Sequence, residues 1–108
     1  MGRQRRLSFT AFSVLYALAN GHRYGFDIME ATGLASGTVY PVLSRLERDG
    51  LVRSSWEDED RAAAEGRPPR RYYEVSGEGA TALREAVDLL SGIAGGRLVL
   101  PEATGGGA

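Results

Sequence analysis

Ser36-Gly-Thr-Val-Tyr-Pro-Val-Leu-Ser-Arg-Leu-Glu-Arg-Asp-Gly50 decides how this chain folds. Val39, Val42, Leu43 and Leu46 fall at i, i+3, i+4 and i+7, which gives a helix one apolar stripe. Asp49-Gly50 stops it. Proline costs least in the first turn of a helix, where its missing N–H has no partner to lose. Pro41 therefore predicts a start near Gly37 or Thr38, capped by Ser36, Gly37 or Thr38. Opposite the stripe lie Gly37, Pro41, Ser44 and Arg48, flanked by Thr38, Tyr40 and Arg45. This is the pattern of the second helix of a helix-turn-helix.

Working outward, Leu51–Glu57 and Arg70–Ser76 are strand candidates rich in aromatic and β-branched residues. The dozen or so polar residues between them contain Gly66 and Pro68-Pro69 and read as the long, mobile tip of a hairpin. Upstream, Ser8 is positioned to cap a helix from about Phe9 to Asn20, closed by Gly21. That helix is apolar most of the way round, so it is buried on several sides. His22 to Gly25 is a turn, and a short helix follows to Thr32, ended by Gly33. Leu34 plugs the core. Downstream, Ser76 caps a helix from about Gly77 to Ala94. Ala80, Leu83, Val87, Leu90 and Ala94 form its stripe, widened by Ala86, Leu89 and Ile93. The order helix, helix, turn, helix, hairpin, helix predicts a mainly α fold with a small β-hairpin: a winged helix-turn-helix with an added C-terminal dimerisation helix. The expected divisions are a flexible basic arm over 1–7, the winged helix-turn-helix over 8–76, the dimerisation helix over 77–95 and a disordered glycine-rich tail over 96–108.

Size and composition limit the alternatives. At 108 residues the chain is one domain, with a core small enough that a partner subunit adds stability. It has no cysteine, which removes disulfides, thiolate metal sites and cysteine nucleophiles. No run of about 18 apolar residues is present to span a membrane, and the N-terminal segment lacks the clean apolar run of a signal peptide. The expected location is cytoplasmic. His22 is the one histidine, and it has no patterned acid or serine partner, so neither a triad nor a metal site is expected. There is no P-loop, dinucleotide fingerprint or paired-carboxylate motif. No cofactor and no enzymatic activity follow.

The net charge is -1, against the positive balance common in nucleic-acid binders. Its distribution is more informative. Arg3, Arg5, Arg6 and Arg23 stand in an N-terminal stretch without acids, and Arg67, Arg70 and Arg71 flank the Pro-Pro step. A winged helix-turn-helix sets the start of its second helix in the major groove. Hydroxyls there meet phosphates or base edges, and arginine forks onto guanine. The same residues would also serve a surface helix that is simply solvated. The arginines of the hairpin tip are suited to phosphate contact, or to an ordinary solvated loop. The acids Glu57 to Asp60 should lie away from DNA. Tyr24 either reaches a phosphate through its hydroxyl or covers the core beside Phe26. Trp56, Tyr72 and Tyr73 either line an aromatic ligand pocket or are hairpin cross-strand pairs and core.

At these residues the chain resembles the PadR family of bacterial transcriptional regulators. The matching segments are Tyr24-Gly25, Ser36 to Leu43, Arg45-Leu-Glu47, Gly50-Leu-Val52, Gly66-Arg67 leading into Arg71-Tyr-Tyr73, and Glu78-Gly79. The resemblance implies a winged helix-turn-helix that dimerises through its terminal helices and usually represses transcription. It implies DNA contact by Ser36, Gly37, Thr38, Tyr40 and Ser44, with Tyr24 and Arg67 on the backbone. Two departures stand out. The turn from Ala31 to Ala35 is short, and the C-terminal part is one helix and a tail, as in the compact branch of the family. Any small-molecule effector would then bind at the dimer interface.

The expected DNA-binding set is Tyr24, Ser36, Gly37, Thr38, Tyr40, Ser44, Arg45, Arg67 and Arg70. The expected dimer contacts are Phe12, Leu15, Leu83, Val87, Leu90 and Ile93. The expected partners are double-stranded DNA and a second copy of the chain. The competing reading, motivated by the net negative charge, is a winged-helix protein-interaction module that grips a protein with its third helix.

Overall fold

The computed structural model describes residues 7–94, and side chains through Gly92. The basic arm, the glycine-rich tail and the Ile93 side chain lie outside these. The elements in chain order are α1 (Phe9–Ala19), α2 (Gly25–Thr32), α3 (Ser36–Arg48), β1 (Val52–Trp56), α4 (Glu59–Ala64), β2 (Arg71–Val75) and α5 (Gly77–Ala94). Three helices and an antiparallel two-stranded sheet share one core. The protein is a winged helix-turn-helix with a fifth helix laid across α1 and β2.

Local signals set most boundaries. Ser8 accepts the Ala11 N–H at 3.1 Å and starts α1. The Ser76 hydroxyl accepts the Gly79 N–H at 3.0 Å and donates to the Gly50 carbonyl at 2.7 Å. It thereby starts α5 and ties it to the end of α3. The helices α1, α3 and α4 end alike. At α3, Gly50 N–H returns to Glu47 and Leu51 N–H to Leu46, which satisfies the last carbonyls. Gly50 adopts φ +80, the left-handed region that favours glycine.

The α3 stripe packs as its spacing predicts: Val39, Val42, Leu43 and Leu46 are all buried. They meet Val14, Leu15 and Leu18 of α1, Ile28 of α2, Leu51, Val52 and Tyr73 of the hairpin, and Leu83 and Val87 of α5. Leu34 packs against this cluster from the turn. The start of α3 is earlier than its proline suggests. Ala35 is the N-cap, with no side-chain cap bond, and Pro41 is the sixth residue of the helix. Gly37 therefore has no N–H from residue 41 to receive, a loss that costs little because Gly37 and Pro41 both face solvent.

Two other expectations change. Leu15 is 0 % exposed, and Leu83 and Val87 are also buried in the protomer's own core. Their side chains point inward because α1 and α5 pack on each other and on the hairpin. Phe12 and Leu90, by contrast, are half-open. The segment between the strands is not a structureless tip, because α4 occupies it. Asp58 caps α4, accepting the Arg61 N–H at 3.3 Å. Glu59 and Asp60 sit in its first turn, where negative charge favours the helix dipole. Ala62 is fully buried beneath it.

Candidate nucleic-acid interface

The face of α3 opposite its stripe is open. Ser36, Gly37, Tyr40, Pro41, Ser44, Arg45 and Arg48 are exposed and Thr38 is half-buried. Ala35 supplies no side-chain cap, and while the Thr38 N–H returns to the Ala35 carbonyl at 2.9 Å, the Ser36 and Gly37 N–H groups stay available to an anion. Arg45 and Arg48 have no ion-pair partner among the described residues. Their position in the last turn also suits the helix dipole. Small residues at the start and arginines further along make a face that can come close to a duplex and neutralise its phosphates.

Tyr40 has a second task. Its ring lies directly over the Cα of Gly25. Any side chain at residue 25 would occupy the space of that ring. Gly25 is buried at the start of α2, so a side chain there would force the Tyr40 ring aside. Tyr40 still leaves much of its surface open.

The wing differs from its sequence-based outline. Arg67, expected on a phosphate, folds back onto Glu57. Its Nη1 donates to one carboxylate oxygen at 2.6 Å and its Nη2 to the other at 2.9 Å. Nη2 also reaches Glu65 at 3.0 Å. The Arg67 side chain is 21 % exposed and the Glu57 side chain 3 %. The Arg70 backbone N–H adds a third bond to Glu57, at 3.1 Å, and the Tyr72 hydroxyl lies 3.4 Å from it. The Arg67 hydrogen bonds hold the Glu57 carboxyl at about 2, well below the usual carboxylate range, against the opposing effect of burial. The same contacts raise the Arg67 pKa. Gly66, at φ +72, reverses the chain after α4 and turns Arg67 inward. A spacing of ten residues across a helix carries no sequence signature, so neither Glu57's burial nor this pairing could be anticipated.

Arg70 is placed differently. Its guanidinium stacks 4.0 Å from the centre of the Tyr24 ring. Tyr24 meets Tyr72 edge-on at 5.9 Å, and Arg23 lies over Tyr72 at 5.4 Å. The backbone follows the same path: Tyr24 bridges Tyr72, and Tyr73 N–H donates to the Arg23 carbonyl at 2.8 Å. The turn before α2 is thus pinned to the wing, with two arginines held on tyrosine rings. Arg23's part in this stack is not among the sequence expectations; an arginine next to a tyrosine, Arg23-Tyr24, is the signal the sequence offers.

The three wing aromatics do not line one pocket. Tyr73 is buried in the core, and burial raises its hydroxyl pKa. Tyr72 belongs to the arginine–tyrosine stack, and Trp56 is exposed. His22 does have an acid partner, Asp27, at 3.1 Å in the first turn of α2. Among the described residues no group of three His, Cys, Asp or Glu side chains could hold a metal. No described helix is long and apolar enough to cross a membrane.

Comparison with known proteins bears on the fold. No curated protein matches the chain significantly. A PadR-like transcription factor from Bacteroides fragilis superimposes with a TM-score of 0.66 at 26 % identity, covering 78 % of this chain and 82 % of its own. A PadR family transcription regulator from Clostridium difficile gives 0.72 at 23 %, covering 81 % and 92 %. The Bordetella bronchiseptica regulator BpsR, whose DNA binding is regulated by 6-hydroxynicotinic acid, gives 0.67 at 24 %, covering 82 % of this chain but only 58 % of its own. The model of the PadR-like transcriptional regulator family matches residues 14–85, and the chain belongs to that family.

Proposed function

We propose that this DNA-binding regulator is a homodimeric repressor that reads a pseudo-palindromic operator, with one α3 in each of two half-sites about one helical turn apart. The open face of α3, carrying Arg45 and Arg48 with no ion-pair partner among the described residues, is the observation that carries the DNA-contact part of this reading. Ser36, Gly37, Thr38, Tyr40 and Ser44 meet the groove, and Tyr24 and Arg70 meet the flanking backbone. Arg67 supports the wing from within.

The dimer reading rests on apolar surface. Phe9 is 76 % exposed. Phe9, Phe12 and Tyr16 run along one side of α1, with the last two rings stacked 5.5 Å apart. Leu89 on α5 is also exposed. An apolar strip on two packed helices suits an isologous interface with a second copy. We place any small-molecule effector at that same interface. BpsR's response to an aromatic acid makes this class the first to try.

The test is an electrophoretic shift with promoter DNA at several salt concentrations, alongside sedimentation of the free protein. Retarded complexes that weaken steeply as salt rises, formed by a dimer at micromolar concentration, are expected. No shift at low salt would favour a protein-interaction role, and a monomer would remove the two-fold operator.

A further inference from the structure

Arg3, Arg5 and Arg6 stand five, three and two residues before Ser8, and Phe9 follows it. No other serine in the chain has two arginines among the five residues before it. Arg5-Arg-Leu-Ser-Phe9 has the charge pattern by which an arginine-directed protein kinase selects a hydroxyl. Guanidinium groups fork onto carboxylates of the kinase groove, and the apolar residue after the acceptor enters a pocket. The fold leaves this hydroxyl within reach. Ser8 is the N-cap of α1, with an extended backbone at φ -71 and ψ 167. Leu7 packs against the core, and the alternation of an extended chain turns the next side chain outward. Ser8 is exposed, and Phe9 is 76 % exposed. The Ser8 Oγ accepts the Ala11 N–H at 3.1 Å and lies 3.2 Å from the Thr10 hydroxyl. Its carbonyl accepts the Phe12 N–H at 2.8 Å. These bonds belong to the first turn of a helix, where fraying is easiest.

We infer that Ser8 is a phospho-acceptor for a serine/threonine kinase that reads arginine ahead of its target, and that its phosphate strengthens the start of α1. The Ser8 Oγ attacks the γ-phosphorus of Mg-bound ATP. The Oγ–P bond forms as the bond from that phosphorus to the β–γ bridging oxygen breaks. ADP leaves, and the hydroxyl proton passes to the carboxylate base of the kinase. The product suits its place. α1 carries no acid in its first turn, so its N-terminus lacks a charge to complement the helix dipole. A phosphate there is close to a dianion at neutral pH and offers three acceptor oxygens to the N–H groups that begin the helix. It also offsets most of the charge of residues 1–8, which hold three arginines and no acid. None of this depends on the DNA-binding reading.

The test uses the full chain, Mg-ATP and the catalytic subunit of the cyclic-AMP-dependent protein kinase as an arginine-directed probe. Intact mass and peptide mapping follow the product. The expected result is one phosphate per chain, on Ser8. R5Q/R6Q, changed outside the described residues, should lower kcat/KM by roughly tenfold or more, the scale of a lost charge-assisted hydrogen bond. The phosphorylated protein should melt about 2–5 °C above the unmodified one, as a helix-dipole contribution does in a domain of this size. S8A should take no phosphate. S8T keeps a capping hydroxyl and should still be labelled, which separates a folding defect in S8A from loss of the acceptor. Undiminished labelling of S8A overturns the inference. So does rapid transfer to a synthetic peptide of residues 3–12 with none to the folded chain, because α1 then withholds the hydroxyl. A melting temperature that falls on modification overturns it as well.

Discussion

Arg67 grips Glu57 through two hydrogen bonds, at 2.6 and 2.9 Å, and this pair closes the wing around α4. A buried carboxylate stripped of its cation has to remain unpaired or take a proton, and either outcome destabilises the fold. Arg67→Ala should therefore lower the melting temperature by several degrees. Because the guanidinium is already engaged, the same change should leave the salt slope of DNA binding nearly unaltered. A slope that falls by about one without loss of stability would instead make Arg67 a phosphate ligand.

The pair also predicts a pH dependence. The Glu57 carboxyl is lowered from 4.5 to about 2. A depressed acid contributes stability that is fully present above its unfolded value and is lost as pH falls through the folded value. Unfolding free energy should decline between about pH 4.5 and pH 2 through this group. Glu57→Gln should be less stable at neutral pH and should show a shallower decline over that window. Urea denaturation at intervals of pH measures both, and parallel wild-type and variant curves would remove Glu57 as the source.

Gly25 and Tyr40 share one volume. Gly25→Ala puts a methyl group where the Tyr40 ring sits, so the ring or the α2–α3 crossing must move. Because Tyr40 is 46 % exposed and its ring can swing outward, the cost should fall at or below about 1 kcal/mol, the low end for overpacking. Combining it with Tyr40→Ala should restore much of the loss, because the ring that clashes is gone. Additive losses in the double-mutant cycle would show that the two residues do not interact.

Much of this fold is legible in the sequence, and the failures share a cause. The α3 stripe, the Ser8 and Ser76 caps and the strand pair all rest on contacts within a few residues or on simple periodicity. The wing helix was hidden by its charge. Glu57-Asp-Glu-Asp60 looks like a solvated, DNA-repelled loop, yet Asp58 caps, Glu59 and Asp60 suit a first turn, and Ala62-Ala-Ala64 favours helix. Pro41 misled in the other direction, since a solvent-facing carbonyl tolerates it in the second turn. Arg67 and Arg70 are indistinguishable by composition. Only the chain reversal at Gly66 sends one inward to Glu57 and leaves the other on Tyr24. Leu15, Leu83 and Val87 look like Phe12 and Leu90 in a wide apolar pattern, and which of them stays open at the surface depends on how α1 meets α5.

That last distinction can be measured. Leu15→Ala empties part of the protomer core, where Leu15 is 0 % exposed, and should cost about 2–5 kcal/mol of unfolding free energy. Phe12→Glu and Leu89→Glu alter half-open and exposed positions instead. They should leave each protomer folded, as judged by circular dichroism, and shift the sedimentation coefficient toward the monomer. Folded dimers in both glutamate variants would place the interface elsewhere.

Arg45 is the sharpest test of α3 itself, because no described acid competes for it. If its guanidinium forks onto a guanine, Arg45→Ala should cost about 1–3 kcal/mol at the cognate operator and relax preference at one base pair of each half-site. If it takes a phosphate, all sequences should weaken alike and the salt slope should drop by about one. Binding to the operator and to single-base variants, compared at two salt concentrations, separates these outcomes. Unchanged affinity and slope would move the reading face off the last turns of α3, toward its first residues and the wing.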